Sequence, residues 1–146
     1  MLYFAYGSNL DPLQMQRRCP DSYPVRAAKL EGWSIGFAGY SQGWGGAVAT
    51  VERDAGSVVE GVLFNISKRD LRKLDACEGW PWVYERRSMR VRDEHGVWRS
   101  AIVYVHRRRR IPSQGPSRIY FARVAAAYKN NGFNLAPLER AATAAA

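Results

Sequence analysis

The stretch YFAYGSN, residues 3–9, joins an apolar strand directly to a polar turn. Residues 2–6 have the aromatic and apolar composition of a buried strand, whereas residues 7–9 are typical turn residues. Asp11 and Pro12 then provide a helix start, with an N-cap followed by proline at the first helical position. Backbone N–H groups in such a strand–turn–helix point outward together and can bind a carboxylate or phosphate oxygen. A capped turn that binds nothing is the alternative.

Strand patterns account for most of the remaining chain. Five further stretches, several of which alternate apolar and polar residues as half-buried antiparallel strands do, are 32–41, 46–53, 57–66, 84–93 and 97–106. The turn Asp54-Ala55-Gly56 separates the second and third of these stretches, and the sequence EHG at 94–96 predicts a hairpin. Six strands, with no alternation of strand and helix, predict an α+β fold whose mostly antiparallel sheet curls into a small mixed β-barrel.

Helices are predicted to flank this barrel. A short one begins at Pro12, and a second follows Ser67, which forms a variant capping box with Asp70. In that second helix, Ile66 and Leu71 can form a hydrophobic staple. A third runs from about residue 117 to residue 130 or 131 and stops at Gly132, and a short turn near 136–142 precedes a frayed alanine-rich end.

The composition is that of one globular domain covering residues 1–146. Hydrophobic residues make up 47% and charged residues 24% of the sequence. The cysteines Cys19 and Cys77 and the histidines His95 and His106 are isolated from one another, so neither a disulfide framework nor a metal site is predicted. No stretch reaches the ~18 apolar residues of a membrane span, and the first residues do not resemble a signal peptide. We therefore expect a cytoplasmic protein with reduced thiols and no membrane partner.

The net charge of +9 and the run RRRR at 107–110 raise a second possibility, a basic module that binds RNA or another polyanion. No aromatic residues are interleaved with this run, as they are in many nucleic-acid surfaces. A solvated loop is the simpler interpretation, so nucleic acid is not the expected partner.

The stretch LDACEGWPWVYE, residues 74–85, places a single carboxylate among aromatic residues. Glu78 follows the second predicted helix and precedes Trp80 and Trp82. The negative partial charge of a helix C-terminus and an aromatic wall that excludes water both raise the pKa of a carboxyl group. Glu78 is therefore a candidate general acid or base, and an exposed glutamate at a helix end is the alternative.

Two other residues, Tyr120 and Cys77, are less informative by themselves. Tyr120 lies in the first turn of the third helix, where an aromatic residue is more often part of the core, although its hydroxyl needs a partner if buried. Cys77 adjoins Glu78 without a histidine nearby in sequence, so we interpret it as a small buried residue.

Four segments occur in the order seen in the gamma-glutamylcyclotransferases, which the chain resembles from about residue 2 to about residue 140. These are YFAYGSNL at 3–10, WGGAVATV at 44–51, LDACEGW at 74–80 with Tyr84 beyond it, and PSRIYFARVAAAYKNNGF at 116–133. The resemblance implies a compact mixed barrel with a pocket at one end, flanking helices and no cofactor. The resemblance does not imply an oligomeric state for the protein.

The resemblance also implies an acyl transfer with intramolecular cyclisation. A gamma-glutamyl amino acid or amine would lose its amine while the glutamyl part closes to 5-oxoproline, with Glu78 as the general acid/base. Removal of a gamma-glutamyl-type protecting group from a biosynthetic intermediate is a related alternative. The implied substrate-binding residues are Tyr3, Tyr6, Gly7, Ser8, Asn9, Leu10, Tyr84 and Tyr120.

Overall fold

The computed structural model describes residues 1–107 and 114–145. Its elements are β1 (Leu2–Ala5), a 3-10 turn (Ser8–Leu10), α1 (Pro12–Arg18), β2 (Tyr23–Ser41), β3 (Gly46–Asn65), α2 (Lys68–Glu78), β4 (Tyr84–Asp93), β5 (Trp98–His106), α3 (Arg118–Asn130) and α4 (Ala136–Ala145). Of the arginine run at 107–110, residues 108–110 lie outside the described residues. Within the described residues, no helix is long and apolar enough to cross a membrane.

The strands form a closed barrel in the order β1-β3-β2-β4-β5. Every pairing is antiparallel except the one that closes the barrel, where Tyr3 of β1 lies opposite Ile102 of parallel β5. The prediction of an α+β fold with a mostly antiparallel mixed barrel and flanking helices is confirmed.

The predicted number of strands is wrong, because β3 is continuous. Glu31 pairs with Val58 and Trp33 pairs with Arg53, so residues 54–57 lie opposite Gly32 alone. The predicted turn at residues 54–56 is thus a large bulge, with Gly56 at a φ of 84°. Pairing with β2 on both sides of this bulge holds the two halves of β3 in one ladder. Its partner β2 is also longer than predicted, since it begins at Tyr23.

The predicted helix caps are present. Ser67 Oγ accepts a hydrogen bond from the Asp70 N–H at 3.0 Å, and Asp70 Oδ2 accepts one from the Ser67 N–H at 3.1 Å. At the other end of α2, Gly79 is left-handed with a φ of 65°. Glu78 is therefore the last helical residue rather than the first one beyond the helix. The fourth helix, Ala136–Ala145, is longer than the short turn predicted at 136–142.

Candidate active site

A cavity of about 300 Å³ lies among the loop after β1, the end of α2, the β2–β3 hairpin and the start of α3. This volume is at the lower end of the range for small-molecule sites, about 300–1,000 Å³. Its wall contains Tyr3, Tyr6, Gly7, Ser8, Asn9, Arg18, Tyr40, Ser41, Trp44, Val48, Ala49, Ala76, Cys77, Glu78, Gly79, Val83, Tyr84, Tyr104, His106 and Tyr120. The cavity thus brings together Glu78 and all but one of the expected substrate-binding residues. The exception is Leu10, which is 2% exposed, belongs to the core and is not part of the wall.

Residues 7–9, the polar loop, approach the barrel closely. Gly7 has a φ of −117°, which lies outside the left-handed region that favours glycine. Space explains the glycine instead, because an added Cβ would lie 3.2 Å from the Cβ of Ala49 and 3.6 Å from the hydroxyl of Tyr120. The N–H groups of Ser8 and Asn9 open a short helical turn, a position that has no acceptor within the turn.

Helix α1 orients the side chains of the polar loop. Gln14 Nε2 donates to Ser8 Oγ at 2.8 Å and to Asn9 Oδ1 at 3.0 Å, and Arg18 Nη1 donates to the same Asn9 oxygen at 3.0 Å. Asn9 Nδ2 in turn donates to the Tyr3 hydroxyl at 3.0 Å. Ser8 Oγ and the Tyr3 hydroxyl are thus acceptors in these bonds. The Tyr3 hydroxyl keeps its own proton for a further acceptor, whereas the Ser8 hydroxyl also hydrogen-bonds to Tyr120.

Sequence reasoning missed Gln14 and Arg18. The available signal was their spacing, because residues four apart on a helix share one face and both follow the polar loop closely. Of the two, Arg18 lines the cavity itself and brings a positive charge to it.

Two tyrosines form hydrogen bonds with the backbone of one residue, Ala49. Tyr84 donates to the Ala49 carbonyl oxygen at 2.7 Å, and the Ala49 N–H donates to the Tyr120 hydroxyl at 2.9 Å. The phenolic proton of Tyr84 is therefore engaged, whereas the Tyr120 hydroxyl acts as acceptor and retains a proton to donate. Burial raises the pKa of both hydroxyls, so both are neutral at physiological pH.

Two further tyrosines of the wall are engaged in the same way as Tyr84. Tyr6 donates to the Tyr104 carbonyl oxygen at 2.5 Å, and the Tyr104 hydroxyl donates to Asp75 Oδ1 at 2.6 Å. Their protons are used within the protein. Among these wall tyrosines, Tyr3 and Tyr120 therefore have phenolic protons that can reach a ligand.

Glu78 has a pKa raised to about 7, and the main cause is burial, which removes water from its carboxyl group. The positive charge of Arg18 acts in the opposite direction. A carboxyl group that titrates near neutrality can both accept and release a proton under physiological conditions.

Trp80 and Trp82 do not shield this carboxyl group, so that expectation is wrong. They are 39% and 85% exposed, neither belongs to the cavity wall, and the ring of Trp80 packs against the guanidinium of Arg86 at 4.3 Å. The aromatic shield consists mainly of buried tyrosines from other elements. Cys77 is also misassigned, because it is exposed rather than buried.

His106 is a second cavity residue that the sequence did not reveal. Its ring meets the ring of Tyr84 edge-on, with centroids 4.9 Å apart, and its backbone N–H donates to Thr50 Oγ1 at 3.0 Å. As an isolated histidine at the end of a strand, it offered no pattern from which a site could be predicted.

Comparison with known proteins identifies the family of this chain. The family model described as gamma-glutamyl cyclotransferase, AIG2-like, matches residues 3–122. Human gamma-glutamylcyclotransferase is 39% identical over 83 residues, which are 53% of this chain and 44% of the human protein. The mouse protein of the same name is 34% identical over 82 residues. These matches span less than half the length of the curated relatives.

Solved structures extend the likeness to almost the whole chain. A structure described as a gamma-glutamyl cyclotransferase superposes with a TM-score of 0.83 at 29% identity, covering 97% of this chain and 83% of the other. A human protein described as uncharacterized gives a TM-score of 0.82 at 30% identity, covering 96% of this chain and 83% of the other. The family match over residues 3–122, together with the shared barrel, establishes that the chain belongs to the gamma-glutamyl cyclotransferase, AIG2-like family.

Proposed function

We propose that the protein is a gamma-glutamyl cyclotransferase that converts a gamma-glutamyl amino acid or amine into 5-oxoproline and the free amine. The observation that carries the proposal is that Glu78 and the polar loop share the wall of one cavity. The cavity thus combines a carboxyl group that titrates near neutrality with several hydrogen-bond donors. A reaction that moves protons around a developing negative charge needs both kinds of group.

The glutamyl end of the substrate binds at the polar loop. The N–H groups that open the 3-10 turn and the hydroxyl of Tyr3 are donors, and Arg18 adds positive charge on the same side. A surface of donors next to a cation suits the alpha-carboxylate of a glutamyl group. This end of the cavity therefore anchors the substrate and leaves its gamma-carbonyl near Glu78.

Glu78 moves the protons that the reaction requires. Its carboxylate takes a proton from the alpha-ammonium group of the substrate, and the free amine attacks the gamma-carbonyl carbon to close a five-membered ring. The protonated carboxyl group of Glu78 then gives its proton to the leaving nitrogen and, as a carboxylate again, takes the second proton of the attacking nitrogen. It passes this proton to the released amine, which leaves as an ammonium ion, so the carboxylate is restored. The C–N bond to the leaving amine breaks, which releases 5-oxoproline and the amine.

The nucleophile and the electrophile belong to one molecule. Holding the substrate folded therefore supplies much of the acceleration, and the protein need not provide a nucleophile of its own. Proton transfer and stabilisation of the tetrahedral oxyanion are the remaining tasks, and this chemistry calls for no cofactor. The free phenolic proton of Tyr120 can be donated to that oxyanion.

Incubating the purified protein with gamma-glutamyl amino acids, gamma-glutamyl amines and short gamma-glutamyl peptides tests the proposal. We expect release of 5-oxoproline from at least one of the first two classes, measured by chromatography against an enzyme-free control. Release of free glutamate instead would indicate hydrolysis, as expected if the chain removes a protecting group. An absence of 5-oxoproline across the panel would reject cyclotransferase activity.

Substitution of the two tyrosines that hydrogen-bond to the Ala49 backbone is expected to separate an effect on catalysis from an effect on stability. Tyr120→Phe removes a donor to the oxyanion, so kcat should fall by about 10²-fold. Tyr84→Phe removes a proton already engaged by the protein, so its main effect should be a loss of about 1 kcal/mol of unfolding free energy. Steady-state kinetics and urea unfolding of both variants measure the contrast. Equal losses of kcat would contradict the donor role assigned to Tyr120.

A further inference from the structure

The cavity has a polar inner end and an apolar outer end. Asn9 is 3% exposed and the wall tyrosines other than Tyr40 are each below 7% exposed, so these residues form its floor. Tyr40 and Val83 belong to the same wall but are 54% and 46% exposed, so they stand where the cavity meets solvent. Ala76 and Cys77 of the wall are also exposed, at the end of α2. We use the term rim for Tyr40, Val83 and the half-buried Trp44, the large apolar side chains at this mouth.

Hydrogen bonds hold the rim in place. In the β2–β3 hairpin, the Gly45 N–H donates to the Ser41 carbonyl oxygen at 2.7 Å, and the Trp44 N–H donates to Ser41 Oγ at 3.2 Å. The ring of Trp44 packs on that of Tyr120, with centroids 5.0 Å apart. On the opposite segment, the Val83 N–H donates to the Gly79 carbonyl oxygen at 2.8 Å. The rim is thus an ordered apolar surface that is continuous with the cavity wall.

The position of Glu78 assigns the two ends to the two parts of a substrate. Its carboxyl group must reach the leaving nitrogen, so the scissile bond lies beside it. The donors of the polar loop take the glutamyl part on one side of that bond. On the other side, the wall continues past Glu78 to Gly79, the next residue in the chain, and to Val83, whose N–H donates to the Gly79 carbonyl oxygen. The leaving amine therefore extends into the rim.

We propose that the rim of Tyr40, Trp44 and Val83 selects gamma-glutamyl substrates whose leaving amine carries an aromatic or branched aliphatic group. This inference rests on the proposed function and narrows it to a substrate class. Among the described residues of the wall, the charged members are Arg18 and Glu78, and neither belongs to the rim. A small or strongly polar leaving group would leave the apolar surface of the rim exposed to water. That surface would then contribute no free energy to binding of the substrate.

Two conjugates that differ by one benzyl group provide the test. We expect kcat/KM for gamma-glutamylphenylalanine to exceed that for gamma-glutamylglycine by about tenfold or more, the scale of discrimination that apolar pockets achieve. Tyr40→Ala and Val83→Ala should each lower this ratio by about threefold or more, because each removes apolar contact with the benzyl group. Tyr23→Ala is the matched control, since Tyr23 lies on the same strand as Tyr40, is 57% exposed and does not belong to the wall. It should leave the ratio unchanged.

Binding of the two conjugates to Glu78→Gln, measured by calorimetry, separates this inference from the proposed function. Tighter binding of the phenylalanine conjugate without turnover by the unmodified protein would support the rim and reject the cyclotransferase activity. Turnover with equal kcat/KM for both conjugates, or a ratio that neither rim variant changes, would overturn the role of the rim. Equal binding without turnover would overturn both.

Discussion

Glu78→Gln is expected to lower the rate of 5-oxoproline release by about 10³-fold, within the range for loss of a general acid or base. Glutamine has nearly the shape of the protonated glutamic acid but cannot exchange a proton with the substrate. Affinity for gamma-glutamyl substrates should therefore change little, because the polar loop is intact. Single-turnover kinetics and calorimetry on the same preparation measure the two effects separately.

The pH dependence of catalysis tests the role of Glu78 independently. Since the carboxylate form accepts the first proton, kcat/KM of the unmodified protein should rise with pH through a value of about 7. Glu94→Gln, which changes an exposed residue of the β4–β5 turn, is the control and should keep this profile. Retention of near-normal activity by Glu78→Gln would refute the catalytic role.

The stability of Glu78→Gln shows whether lost activity reflects lost folding. The folded-state pKa of Glu78 lies above the ordinary value of 4.5, so ionising this group costs stability as the pH rises from about 4.5 to about 7. Glutamine does not ionise, so the variant should melt no lower than the unmodified protein at pH 8. Inactivity accompanied by a lower melting temperature would instead point to a folding defect.

Gly61→Ala is expected to destabilise the barrel by about 3 kcal/mol, the upper part of the usual range for overpacking. An added Cβ would lie 2.4 Å from the carbonyl oxygen of Ala5 and 2.6 Å from the ring of Phe4. Relief requires β1 to move, because the closest atom belongs to its backbone. The pairs of Phe4 with Leu63 and of Ala5 with Val62 would then be distorted.

Displacement of β1 should also lower activity, since its last residue leads into the polar loop. Urea unfolding and 5-oxoproline release from Gly61→Ala measure the two consequences. Gly43→Ala is the matched control, because its nearest contact would be the Ser41 hydroxyl at 3.8 Å, and it should change stability by less than about 0.5 kcal/mol. A midpoint for Gly61→Ala equal to that of the control would contradict this account of β1 packing.

Local sequence determined the features that depend on a few consecutive residues. One such feature is the apolar run before the polar loop, which is visible in the residues themselves. Two others are the capping box of Ser67 and Asp70 and the stop of α2 at Gly79, which follow from hydrogen bonds within about four residues. Glu78 was found for the same reason, because its place at the end of a predicted helix is a local property.

Only the tertiary structure decided which groups surround that carboxylate. The indoles of Trp80 and Trp82 are its neighbours in sequence, yet their exposure shows that chain proximity does not imply contact. Its actual neighbours include tyrosines from strands far apart in the chain, and the Tyr6–Tyr104 hydrogen bond alone spans 98 residues. The continuity of β3 has a similar origin, since pairing with β2 carries the strand through a segment that reads locally as a turn. Closing a barrel juxtaposes residues by their position in the ladder, and no pattern confined to one segment encodes that position.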